Sequence, residues 1–148
     1  TQSAGSACLI TVTSMVNTKR TYLEEESTDR QEAGAIHACN LALQVWGDKT
    51  VTAKVHKICL DRLMNRNGWL DMARKRPIPH ESWFAVAGYF FYYGHLYASL
   101  CIEKLPINQQ ADYQSKLSQI LIPLQEKDGS WWDFPFYNYH QQYGTARL

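Results

Sequence analysis

Two pairs of residues in this chain carry side chains that bind metals: His37 with Cys39, and His56 with Cys59. Imidazole nitrogen and thiolate sulfur are the usual ligands of zinc, and a structural zinc site gathers four of them. Residues two apart on a helix point to opposite sides, so His37 and Cys39 cannot chelate together, whereas His56 and Cys59 share a face. One such pair falls short of a site, and the expectation is no metal and no cofactor. Proton transfer is the second chemistry open to these residues. His95 and His140 stand among aromatic residues, and imidazole changes charge near neutral pH. Each also reads as a structural or cavity-lining histidine. Asp128 and Asp133 are five apart and straddle a turn, which suits turn formation and helix capping better than a paired acid and base. Hydrolysis by an activated serine has no support, since no G-x-S-x-G stretch occurs.

A chain of 148 residues makes about one domain, with 45% apolar and 13% aromatic residues. That composition belongs to a globular fold rather than to a disordered chain. A net charge of +1 gives no electrostatic footprint for nucleic acid or for an anionic membrane surface. The densest basic cluster, Ala73 to Pro77, is too short to change this. Cys8, Cys39, Cys59 and Cys101 lie far apart within apolar stretches and read as buried free thiols, which favours a reducing compartment. The sequence opens without an initiating Met or a signal peptide, and the expectation is a processed or excised piece.

Apolar periodicity yields six helical segments and no strand, hence an all-α fold. They run from Ala4 to Val16, from Thr28 to Gly47, from Thr50 to Asn65, from Ser82 to Ile102, from Asn108 to Leu124, and from Tyr137 onward. Thr28 and Gln31 resemble a capping box at the start of the second segment, and Gly47 supplies its stop. Its stripe is Ala35, Ala38, Cys39, Ala42, Val45 and Trp46, widened by Ile36 and Leu43. The third segment buries Val55, Ile58, Cys59 and Leu63, takes Asp48 as a cap, and ends at "NRNGW". The fourth is apolar all round and long enough to span a bilayer, yet its four tyrosines suit the centre of a soluble bundle better, and no membrane span is expected. The fifth has one apolar face, of Tyr113, Leu117, Ile120, Leu121 and Leu124. Segments apolar on most sides thus alternate with segments that keep one wet face, which predicts inner and outer helices visited in turn. A weak repeat lays Tyr93-Gly94 over Tyr143-Gly144, as expected for helix-pair arrays.

Gln125, Gly129 and Trp131 stand as Q-x-x-x-G-x-W, within "LQEKDGSWWDFPFYNYHQQYGTARL". This resembles the QW motif of squalene-hopene cyclases and of the wider terpene cyclase and prenyltransferase-like α/α-toroid superfamily. The stretch from Asp128 to Ala146 looks like the C-terminal repeat of uncharacterised bacterial members of that group, whose YGTA element opens an inner helix. The resemblance covers residues 113 to 148 best and residues 62 to 102 more loosely. It implies a partial ring of about three helical hairpins, completed by the rest of the parent chain or by a second copy. In such a ring Gln125, Asp128, Gly129 and Trp131 form a structural clasp. Asp128 and Gly129 make the turn, the Gln125 amide bridges backbone groups at neighbouring helix ends, and the Trp131 ring covers it.

The superfamily's cyclases protonate an alkene with a D-x-D-D aspartate, and that motif is missing from this sequence. Its prenyltransferases hold zinc with Asp, Cys and His, and its thioester proteins carry G-C-G-E-Q; neither pattern is present. The expected function is therefore a non-catalytic binding or interaction domain. Its wall would be Tyr89, Tyr93, His95, Tyr97, Trp132, His140 and Tyr143, facing an apolar small molecule or peptide. The alternative is part of a terpene-cyclase-like or prenyltransferase-like enzyme whose acid lies outside these residues.

Overall fold

The computed structural model describes residues 35–74, 91–133 and 140–148, apart from the side chains of Ala35, Trp69, Ala73 and His140. These form helices α1 (Ala35–Val45), α2 (Ala53–Ala73), α3 (Phe91–Ile102), α4 (Ile107–Leu121) and α5 (His140–Ala146), with a 3-10 turn at Ile122–Leu124. No strand occurs among the described residues, as an all-α fold requires. The segment from Ala4 to Val16 with Cys8, the expected capping box at Thr28, and Tyr89 lie outside the described residues.

Helix α1 ends where its glycine says it should. Gly47 takes φ +87, its N–H donates to the Gln44 carbonyl at 3.0 Å, and Asp48 N–H donates to the Leu43 carbonyl at 3.0 Å. This paired closure satisfies carbonyls that the helix leaves open and needs a left-handed residue, which glycine adopts without strain. Val45 and Trp46 were expected on the buried stripe but are 81% and 53% exposed, because they fall in the last turn, where the chain reverses. His37, Asn40 and Leu43 form the buried face instead.

Helix α2 corrects the sequence reading twice. Asp48 does not cap it: its Oδ1 accepts from Thr50 N–H at 2.7 Å and from the Thr50 hydroxyl at 2.6 Å, closing the turn before the helix, while Thr52 occupies the N-cap position. Nor does "NRNGW" end it, since the helix runs through Gly68 to Ala73. A mid-helix glycine costs about 1 kcal/mol against alanine. Burial of Leu70, seven residues on from the buried Leu63, is worth about 2 kcal/mol and outweighs that cost. Val55 and Ile58 are half-buried, and the buried positions are His56, Cys59, Leu60, Leu63 and Leu70.

Helix α3 is the hub, packed against α1, α2 and α4. Seven of its twelve residues are buried: Phe91, Tyr92, Gly94, His95, Ala98, Cys101 and Ile102. Helix α4 buries only Tyr113 and Leu117, with Ile120, Leu121 and Leu124 half-buried beside them. An all-round apolar sequence is thus enclosed and a striped one lies half in water. Among the described residues no helix is long and apolar enough to cross a membrane.

A polar bridge ties α2 to α4. Lys57 Nζ donates to Asp61 Oδ2 at 2.8 Å and to the Tyr113 hydroxyl at 2.9 Å, and that hydroxyl donates to Asp61 Oδ1. Burial pushes the Asp61 carboxyl up, but the bonds from Lys57 and Tyr113 outweigh it and hold the group below its ordinary range.

Candidate functional site

The stretch expected to form the clasp begins where α4 ends. Pro123 has no N–H to continue a helix, so the chain tightens into the 3-10 turn and then reverses. Glu126 N–H donates to the Ser130 carbonyl at 2.8 Å and Gly129 N–H to the Glu126 carbonyl at 3.0 Å, with Gly129 at φ +84. Asp128 Oδ1 accepts from the Ser130 hydroxyl at 2.7 Å and from Ser130 N–H at 3.0 Å, and these bonds hold its carboxyl below the usual range. Gln125 Nε2 donates to the Gly129 carbonyl at 2.9 Å, so its amide works inside its own turn rather than between helix ends. Trp131 does the bridging: its indole N–H donates to the Leu121 carbonyl at 3.0 Å, at the open end of α4. Its ring lies against the core cluster that includes Tyr113 and Leu117.

Trp131 also takes hold of α5. Its backbone N–H donates to Thr145 Oγ1 at 3.1 Å, and the same hydroxyl lies 3.4 Å from the Trp131 carbonyl, to which it donates in return. The buried Gly144 passes so close that a Cβ there would stand 2.3 Å from the Trp131 oxygen and 2.9 Å from Trp132 Cα. The Y-G-T-A element thus has a physical reading. Its glycine permits backbone contact and its threonine fastens it.

This docking brings Tyr143 of α5 to Tyr93 and Tyr97 of α3. The Tyr93 and Tyr97 rings lie one helical turn apart, with centroids 4.7 Å from each other and planes at 53°. The Arg147 guanidinium stands 4.8 Å from the Tyr143 centroid and 5.2 Å from that of Tyr93, joining the two helices through its charge on the ring faces. Burial pushes the Tyr93 and Tyr143 phenols up, Tyr97 adding to the first and Arg147 opposing both. All three tyrosines are half-buried, as is Trp132 beside Gly144. Of the other expected wall residues, Tyr89 and the His140 side chain lie outside the described part. Asp133 is 3% exposed, and its Oδ2 accepts from Tyr92 N–H at 3.4 Å.

His95 does not join the tyrosines. It is about 200° around the helix from Tyr93, and its Nε2 meets Asn67 Oδ1 of α2 at 3.0 Å. Its Nδ1 donates to the Phe91 carbonyl at 2.6 Å, and the Phe91 ring lies 4.3 Å away. Burial holds this imidazole down at about 4 against the opposing pull of the Phe91 carbonyl. A neutral ring that donates through Nδ1 can only accept through Nε2, so a hydrogen bond to Asn67 requires the amide NH2 rather than Oδ1 on that side.

Around His95 is a buried polar core that metal-ligand spacing did not reveal. His37, His56 and His95, one from each of α1, α2 and α3, are 0%, 0% and 1% exposed. His56 Nε2 lies 3.3 Å from Gln44 Oε1, Asn40 Nδ2 donates to Cys59 Sγ at 3.4 Å, and Cys101 Sγ donates to the His37 carbonyl at 3.7 Å. Neither ring nitrogen of His37 meets a hydrogen-bond partner among the described residues. Burial pushes His37 down to about 3, with His95 and His56 adding to the effect, and pushes the Cys101 thiol up to about 12. Cys59 and Cys101 are buried thiols outside any disulfide, while Cys39 is only partly covered. No group of three His, Cys, Asp or Glu side chains among the described residues is arranged to hold a metal ion. The signal for this core was His37, Asn40 and Leu43 at helical spacing, a polar pair on an apolar face.

No protein-family model matches the chain, nor does any curated protein or solved structure.

Proposed function

We propose that this chain is a non-catalytic binding module of the α/α-toroid type, in which α1 and α3 serve as inner helices and α2 and α4 as outer ones. Its tyrosine wall grips an apolar small molecule or a peptide, and the ring is completed by the rest of the parent chain or by a second copy. The contrast between the enclosed α3 and the half-wet α4 supports the layering. The observation that carries the binding reading is the convergence of Tyr93, Tyr97 and Tyr143 under Arg147, with all three rings still partly open to water. Amphipathic rings of this kind offer contact area at little conformational cost. His95, the residue best suited to proton transfer, is neutral and turned toward Asn67. The enzymatic alternative asks for an acid supplied to the wall from outside these residues; within them, Asp133 has its Oδ2 directed at the Tyr92 amide.

Titration with the uncharged dye Nile red tests this. Saturable fluorescence enhancement is expected for the unaltered chain, with affinity reduced about tenfold or more by Tyr93→Ala or Tyr143→Ala, since buried aromatic anchors carry most contact energy. Tyr113→Phe, on the α2–α4 bridge, should leave binding unchanged. Equal dye response in all four proteins would overturn the assignment.

A further inference from the structure

We infer that His37, His56 and His95 form an acid-operated latch, in which proton uptake at His37 drives α1 away from the α2–α3 pair. Three imidazoles from three helices share one closed interior, each at most 1% exposed. Such a cluster is stable only while its members are uncharged, because a buried cation needs a partner. His37 is the member least able to accept a charge. Among the described residues its ring nitrogens have no hydrogen-bond partner, and the titratable groups there that act on it are two further imidazoles, His95 on α3 and His56 on α2. The thiols nearby do not compensate: Cys101 donates to the His37 carbonyl and Cys59 accepts from Asn40, and burial keeps Cys101 protonated. Asp71 on α2 and Arg74 at its C-cap act on His95 with opposite signs.

The direction follows from linkage. His37 titrates at about 3 in the folded chain against 6.5 when free, so the unfolded or detached form binds the proton first. Its contribution to stability is fully present above pH 6.5 and is lost as pH falls toward 3. Each pH unit in that window lowers the attachment constant by up to tenfold. Helix α1 is the element released, since α1 carries His37 and, among the described helices, packs on α3 and α2.

Two measurements test the latch. In urea unfolding at pH 7.5, 6.0, 5.0 and 4.0, the folding constant of the unaltered chain relative to His37→Leu is expected to fall about tenfold per pH unit below pH 6. A ratio independent of pH overturns the proposal. If His37→Leu does not fold, the unaltered chain decides. Ring-proton titration by NMR should show His37 without an inflection down to pH 5, and amide exchange at pH 5, corrected for intrinsic rates, should show α1 losing protection ahead of α4. An inflection near pH 6.5, or equal loss in α1 and α4, overturns it.

Discussion

The α1–α2–α3 core and the junction of α4 with α5 handle polar groups in opposite ways. At the junction, Gln125, Asp128, Trp131 and Thr145 make short bonds to backbone groups within or beside one turn, much of it exposed to water. In the core, polar side chains are enclosed between helices, and His37 has no partner among the described residues. The first arrangement is tolerant, since water can replace a lost bond. The second is brittle, since water cannot reach a buried group to stabilise a new charge.

The sharpest way to break the junction is Gly144→Ala. Helix propensity alone would favour alanine by about 1 kcal/mol, but a Cβ 2.3 Å from the Trp131 oxygen forces α5 off the clasp. A net loss of about 3 kcal/mol is expected in denaturant unfolding, together with loss of dye binding. Next comes Trp131→Phe, which removes the indole donor to the Leu121 carbonyl and should cost about 2 kcal/mol. In the core the sign reverses. His37→Leu removes unpaired polar atoms at similar volume, and thermal unfolding at pH 7.5 should show it stabilised by about 1 kcal/mol. The smallest effect is expected from Gln125→Ala, about 0.5 kcal/mol, because its exposed amide serves one carbonyl that water can also reach.

These differences also show which features the sequence could reveal. Gly47 and Gly129 were legible because a left-handed turn leaves few alternatives to glycine. The enclosure of α3 and the single dry side of α4 followed from apolar periodicity. Gly68 misled, because a helix stop and a tolerated glycine look alike until the burial of Leu70 is known. His95 was grouped with Tyr93 by nearness in sequence, although positions two apart face opposite ways. The pairing of Trp131 with Thr145 and the company of His37 depend on long-range packing, which local spacing does not encode.

The proposed binding role meets its most direct test in aromatic proton–carbon NMR spectra of the chain recorded with and without saturating Nile red. Binding at the wall predicts shift changes concentrated on the rings of Tyr93, Tyr97 and Tyr143, with Tyr92 and Tyr113 silent. Changes confined to Trp46, or spread evenly over all the tyrosines, would contradict it.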